Sequence, residues 1–169
     1  YGNGINMPKL NKVARSHNCI VIEDCAQSAG TKILGKYAGT FSDAGTFSFF
    51  PTKNLAALGD GGGVWVSNKK LQTKIESLRQ YGWNKNRVVK VANGMNSRLD
   101  ELQAVVLQIR LKDLKRDIQK RRNIAKIYDL NLRSYFERLI YPDFQFCSFH
   151  LYVVKVKHRN KLMNYMKNT

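Results

Sequence analysis

The chain has 169 residues and carries 29 Lys and Arg against 12 Asp and Glu, a formal charge of +17, and its length suffices for one domain with a sizeable core. No apolar stretch approaches the ~20 residues that a membrane span needs, and no signal-peptide pattern opens it, so the expectation is a cytoplasmic protein with no membrane partner. The basic residues are spread along the chain, with one dense run from Lys112 to Arg122. No zinc-finger spacing or aromatic RNA-binding pattern accompanies them, so they read as solvated faces rather than as a nucleic-acid surface.

In chain order, Asn6 and Pro8 open a helix predicted over residues 8–17, with Leu10, Val13 and Ala14 on its apolar side. It leads into Cys19-Ile20-Val21-Ile22, a short apolar run of the kind found in a parallel strand covered on both faces. Asp24 then falls at that strand's carboxyl end, the side on which ligands bind in open α/β sheets. Residues 35–43 are rich in turn formers, residues 44–50 read as a second strand, and residues 63–67 as a third. Helical spacing through Leu71, Ile75 and Leu78 predicts a helix over 69–81, stopped by Gly82. The loop that follows, 83–96, has a length that points to function or mobility.

From Ser97 the pattern is helical again, with Leu99, Leu102, Val106 and Ile109 on one face and Ser97 and Asp100 as cap candidates. The periodicity falters over 112–120 and resumes at Ile124, Ile127 and Tyr128, which predicts one long or broken helix. That helix is expected to carry the chain out of a first domain, 1–134, into the start of a second, 135–169. There, residues 139–141 and 149–156 read as strands and 160–166 as a helix.

Three cysteines, Cys19, Cys25 and Cys147, cannot all pair and form no C-x-x-C unit, so they read as buried thiols in a reducing compartment. His17, His150 and His158 have no metal-ligand spacing, and no metal site is expected. The chemistry concentrates elsewhere, in Ser48-Phe49-Phe50-Pro51-Thr52-Lys53-Asn54 and the following Gly59-Asp60-Gly61-Gly62-Gly63. Glu23-Asp24-Cys25-Ala26-Gln27 lies upstream, and Asn96 to Ala104 downstream. Lys53 follows a strand-like run and sits beside a proline and a glycine loop, so its amine belongs to an element end rather than to a solvated helix face. The glycines are followed by a strand and by no G-K-[ST], which excludes a phosphate-binding P-loop and leaves a flexible turn.

Read as ED-x-A-Q, S-F-x-x-x-K-N, G-D-G-G and N-x-R-L-D-x-x-Q-A in that order, these blocks resemble the nucleotide-sugar aminotransferase family of the DegT/DnrJ/StrS type. The resemblance implies an α/β fold: part of the large domain of a fold-type-I, aspartate-aminotransferase-like transferase, plus the start of a small C-terminal α/β domain. It covers only the middle of a full-length member. It also implies pyridoxal 5'-phosphate (PLP) as cofactor. Asp24 would face the ring nitrogen and favour its protonated form. Gln27 would meet the phenolate oxygen or the ring face, and Ser48 would donate to the phosphate. Lys53 would be the Schiff-base lysine and proton shuttle. Asn96 would reach the cofactor phosphate of the other subunit of a homodimer, and Arg98 would serve as an anion contact.

The implied reaction moves an amino group, from glutamate, onto a nucleotide-linked keto-sugar, whose diphosphate a basic cleft would attract. Lysine rather than histidine at position 53 favours amino transfer over dehydration. Two other readings stand beside it: a non-catalytic remnant of such an enzyme, and a basic nucleic-acid-binding protein. Because the matched motifs supply one wall of the cofactor site, the chain is expected to be inactive alone.

Overall fold

The computed structural model describes residues 1–132, 134–138 and 146–168. Helix α1 (Met7–Ser16) starts where expected: the Asn6 side chain accepts from Lys9 N at 3.0 Å, and Pro8 occupies the first turn, where its missing N–H is not needed. Strand β1 (Ile22–Asp24) follows, then the hairpin β2 (Lys32–Ile33) and β3 (Lys36–Tyr37). Leu34 and Gly35 both have positive φ, 48° and 83°, the conformation that a two-residue type I′ hairpin turn requires. This hairpin begins just ahead of the segment read as a plain turn and runs into it.

Strands β4 (Ala44–Ser48) and β5 (Gly62–Val66) complete a sheet of order β1-β4-β5. β1 pairs parallel with β4, Ile22 opposite Ala44 and Asp24 opposite Thr46. β4 pairs antiparallel with β5, from Ala44 opposite Val66 to Ser48 opposite Gly62. The carboxyl ends of β1 and β4 therefore leave the sheet on one edge, where the 49–61 connection is closed by Phe49 N donating to Gly61 O at 2.8 Å.

Two apolar clusters flank this sheet and share Phe47. One holds Met7, Cys25, Ile33 and Ala38; the other holds Ala29, Leu55, Ala57 and Leu107, with Phe49, Leu99 and Leu114 against it. The expected cover on both faces of the first strand is absent among the described residues. β1 is an edge strand, Ile20 and Ile22 are 80% and 64% exposed, and Leu10 and Val13 of α1 are exposed too. Cys19 is also exposed, and only Cys25 and Cys147 are buried.

Helix α2 (Lys69–Leu78) is capped by Asn68, whose side chain accepts from Leu71 N at 3.0 Å. It ends before Gly82, which at φ 73° returns its N–H to Ser77 O at 2.9 Å. The loop after it is pinned by isolated bridges, Gln80 to Asn96 and Trp83 to Val89.

Helix α3 (Glu101–Leu132) runs unbroken for 32 residues, about 48 Å at 1.5 Å per residue. Asp100 Oδ1 caps it by accepting from Leu102 N at 2.8 Å. Its buried seam is Leu107, Ile118 and Ala125, with Leu114 packed between, and not the predicted face, since Leu102 and Ile109 are exposed. The polar stretch 112–120 stays helical because Leu114 and Ile118 keep the seam continuous. Its charges pair on the outside, Arg116 with Asp113 at 3.0 Å and Lys120 with Asp117 at 3.5 Å.

Beyond α3, β6 (Glu137–Arg138) pairs antiparallel with β7 (Val154–Lys155), and α4 (Arg159–Lys167) follows. The strand expected over 149–156 is shorter than predicted because Phe149 adopts φ 43°, which no extended strand accommodates. The strand expected over 139–141 lies outside the described residues. No helix among the described residues is long and apolar enough to cross a membrane.

Candidate active site

The parallel register of β1 and β4 builds the site. Asp24 is the last residue of β1, opposite Thr46, and Cys25 N donates to Thr46 O at 2.8 Å just beyond it. Its exposed carboxylate accepts from Ala26 N at 3.0 Å through Oδ1, the local bond that lets Asp start a turn. Oδ2 takes no partner among the described residues. The turn continues with Ser28 N donating to Cys25 O at 3.1 Å. It presents Gln27, whose Oε1 accepts from Tyr1 N at 2.7 Å.

Ser48 ends β4 two residues beyond Thr46, about 7 Å further along the same direction. Its hydroxyl holds only a long bond, from Phe50 N at 3.4 Å. Lys53 follows in the turn that Pro51 opens, its own N–H donating to Phe50 O at 2.8 Å, with a half-buried side chain. Asp24, Gln27, Ser48 and Lys53 thus stand on the segments that leave one edge of the sheet.

A second wall comes from residues 147–151, carried back to this edge from beyond α3. Ser148 is fully buried; its carbonyl accepts from Asn54 Nδ2 at 2.9 Å, and its hydroxyl from Thr31 Oγ1 at 2.9 Å. Leu151 N donates to Tyr1 O at 3.2 Å. Burial lowers the His150 imidazole, helped by the positive charges of Lys53 and Arg121.

Asn96 and Arg98 stand apart from these residues. Arg98 Nε donates to Asn96 Oδ1 at 3.1 Å on an exposed surface, and Arg98 lines a cleft of about 710 Å³ with Asp60, Gly61, Gly62 and Arg79. No hydrogen bond among the described residues joins this pair to Asp24 or Lys53. A separate apolar cavity of about 640 Å³, between Phe47, Leu55, Leu114 and Ile118, is lined by neither Asp24 nor Lys53.

The donor set fits PLP: a carboxylate with one free oxygen for a ring nitrogen, a weakly held hydroxyl for a phosphate, an amide, and an amine for an aldehyde. Two neighbours were not anticipated. Glu23 is buried and fully engaged with backbone N–H groups, and His150 belongs to the second wall. Glu23 opens the ED-x-A-Q block but its role was not legible there, and His150 carries no local pattern, because the partners of both are far away in the chain.

A sequence model of the DegT/DnrJ/EryC1/StrS aminotransferase family matches residues 1–169. The dTDP-3-amino-3,6-dideoxy-alpha-D-galactopyranose transaminase of Aneurinibacillus thermoaerophilus is 42% identical over 98% of this chain and 46% of its own length. Among solved structures, a DegT DnrJ EryC1 StrS aminotransferase from Brucella abortus superposes with a TM-score of 0.94 at 28% identity, covering 99% of this chain and 45% of that one. NtdA from Bacillus subtilis, solved with bound cofactor PMP, gives 0.82 at 31% identity over 97% of this chain and 38% of that one. The chain spans about half the length, 46%, of the curated relatives it matches.

Proposed function

Because the chain belongs to the DegT/DnrJ/EryC1/StrS aminotransferase family, we propose that the polypeptide carrying it transfers an amino group, from glutamate, to a keto group of a nucleotide-activated sugar, with PLP as cofactor. The observation that carries the reading is the parallel register of Asp24 against Thr46, which sends Asp24, Ser48 and Lys53 to one sheet edge. Relatives named as nucleotide-sugar transaminases and a structural neighbour with PMP support the substrate and cofactor classes.

When bound, PLP supplies an electron sink for a carbanion at the substrate. Asp24 holds a proton on the ring nitrogen, because an anion beside that nitrogen favours its charged form. The Ser48 hydroxyl, which accepts a long bond from Phe50 N, would donate its own proton to the phosphate. Gln27 fixes the ring through its amide. Lys53 would hold the cofactor through Nζ, and the same atom would accept and return a proton. Asn96 and Arg98, away from this edge, serve the site of a second subunit across a dimer. We place the passage from a first domain, 1–134, into a second, 135–169, at the end of α3, and the reaction in the cytoplasm.

The test is chemical. The polypeptide that carries this chain is loaded with PLP, fixed with borohydride and mapped. Label on Lys53, lost together with the visible absorbance of the bound cofactor in Lys53→Ala, is the expected result. Undiminished absorbance in Lys53→Ala overturns the assignment.

A further inference from the structure

Gln103 belongs to the N-x-R-L-D-x-x-Q-A block, yet the proposed chemistry gives it no part, and it does not line the cleft beside Arg98. Its side chain is engaged elsewhere. Oε1 accepts from Leu58 N at 2.7 Å and from Gly59 N at 3.3 Å. Two turns further along the same face of α3, Arg110 Nη1 donates to Ala56 O at 2.6 Å and to Ala57 O at 3.3 Å. Leu107 lies between the two and packs with Leu55 and Ala57.

These contacts match the segment they meet. Residues 49–61 form neither helix nor strand, and Leu55, Ala56 and Ala57 are buried, so their backbone polar groups need partners that no ladder supplies. An acceptor side chain meets two successive N–H groups, and a donor side chain meets the two carbonyls just before them. Helix α3 thus supplies the missing partners with the polarity each requires. On the other side, Ala57 N donates to Phe49 O at 2.7 Å. Lys53 stands on the loop between these ties. Within it, Lys53 N donates to Phe50 O at 2.8 Å, and Asn54 Nδ2 to Ser148 O at 2.9 Å.

We propose that Gln103 and Arg110 are positioning residues for Lys53: by clamping the backbone of 56–59 to α3, they set where the Lys53 amine stands at the sheet edge that carries Asp24. This deepens the reading above and rests on it. Neither side chain hydrogen-bonds to Asp24, Gln27, Ser48 or Lys53 among the described residues, so both act through the loop. Removing either half of the clamp frees one end of that loop. A reacting group misplaced by about 1 Å can lose about 100-fold in rate, whereas the groups that hold the rest of the cofactor stay where they are.

The experiment compares Gln103→Met, Gln103→Glu, Arg110→Met and Arg110→Lys in the polypeptide that carries this chain, with PLP as the probe. Glu keeps acceptor oxygens, and its charge suits the first turn of a helix; Lys keeps a donor. Before PLP is added, amide exchange at Leu58 and Gly59 should speed about tenfold in Gln103→Met, the loss of one hydrogen bond, and stay at the parent rate in Gln103→Glu. On mixing with PLP well below the unfolding midpoint, the maximal rate at which the absorbance of bound cofactor develops should fall about 10- to 100-fold in both Met variants. The half-saturating PLP concentration should stay within about twofold of the parent's, since no contact with PLP is lost. Glu and Lys should restore the rate. Should a Met variant fail to fold, Gln103→Asn, whose amide stops one carbon short, or Arg110→Gln takes its place with the same expected loss. A parent-like rate in either truncated variant overturns the proposal and leaves that contact a structural tie alone. So does a raised half-saturating concentration at unchanged rate, a Gln103→Glu variant as slow as Gln103→Met, or unchanged exchange at Leu58 and Gly59. Failure of the underlying reading shows separately, as PLP loading that survives Lys53→Ala.

Discussion

The buried carboxylate of Glu23 accepts a hydrogen bond from the backbone N–H of Gly39 at 2.8 Å, clasping the connection between β1 and β4 to the strand it left. The other oxygen accepts from Phe41 N at 2.7 Å and Ser42 N at 3.0 Å. One side chain thus satisfies a turn that has no ladder of its own and fixes the strand end on which Asp24 stands. Glu23→Gln would set an amide NH2 against one of these donors. The expected loss is about 2–3 kcal/mol, the range for hydrogen bonds to a charged group, read as a lowered urea midpoint. An unchanged midpoint would mean the clasp contributes nothing net.

Gly45 lies opposite Glu23 in the register and meets the same connection from the other side. A Cβ at this position would collide with the backbone O, Cα and C of Gly39, which itself sits at φ 86° under the Phe47 ring. Backbone yields less readily than a side-chain tip, so Gly45→Ala should destabilise by about 1–3 kcal/mol. Gly35→Ala is the contrast. Unlike Gly45 it has a positive φ, 83°, but a Cβ there has nothing within 4 Å, so it should lose only the backbone preference, about 1 kcal/mol. Equal losses at the two positions would contradict the packing account.

Stability should fall away on both sides of neutral pH for separate reasons. His150 is held below 6.5 when folded, by burial first and then by the charges of Lys53 and Arg121. Below pH 6.5 the unfolded chain therefore binds a proton that the folded chain refuses, and stability drops as pH falls toward the folded value. Cys147 is raised above 9.0 by burial, so above that pH the unfolded thiol ionises first and stability drops as pH rises. Denaturation profiles of His150→Asn and Cys147→Ala should each lose one limb and keep the other. A profile with both limbs intact in either variant would assign that limb to other groups.

The bare edge of β1 makes a further expectation. Ile20 and Ile22, 80% and 64% exposed, flank unpaired backbone, and an apolar edge of this kind pairs with other chains. The isolated chain should self-associate, and Ile22→Lys should reduce that association in light scattering without lowering the unfolding midpoint. Scattering unchanged by the substitution would place the association elsewhere.

The sequence made the local features legible and left the long-range ones hidden. The caps at Asn6 and Asp100 and the stop at Gly82 rest on bonds within a few residues, and the strand-end place of Asp24 showed in the apolar run before it. The seam of α3 was misplaced because Leu102 and Ile109 are as apolar as Leu107 and Ile118, and only tertiary packing, such as that of Leu107 with Leu55 and Ala57, selects the latter face. The second wall of the site was invisible for the same reason. Thr31 and Ser148 are 117 positions apart, and nothing in either segment announces the hydrogen bond at 2.9 Å that joins them.

Asp24 carries the most direct test of the site. Its Oδ1 is occupied by Ala26 N and its Oδ2 is free among the described residues, so Asp24→Asn keeps the turn-forming oxygen and replaces only the charge. The fold should be unaffected, since the side chain is exposed and its local bond survives. What changes is the proton on the ring nitrogen of PLP. Loss of an adjacent anion lowers the affinity of a basic nitrogen for its proton by about 1–3 pKa units, at ~1.4 kcal/mol each. Amino transfer from glutamate to a nucleotide keto-sugar, measured in the polypeptide that carries this chain, should fall by about 10- to 1,000-fold, while the cofactor remains bound at Lys53 and its absorbance titrates at lower pH. Asp24→Glu should not restore the rate, because the longer side chain cannot keep both the turn bond and the ring contact. Near-parent turnover in Asp24→Asn, with an unshifted cofactor titration, would remove Asp24 from the ring nitrogen and send the search to another acid at this sheet edge.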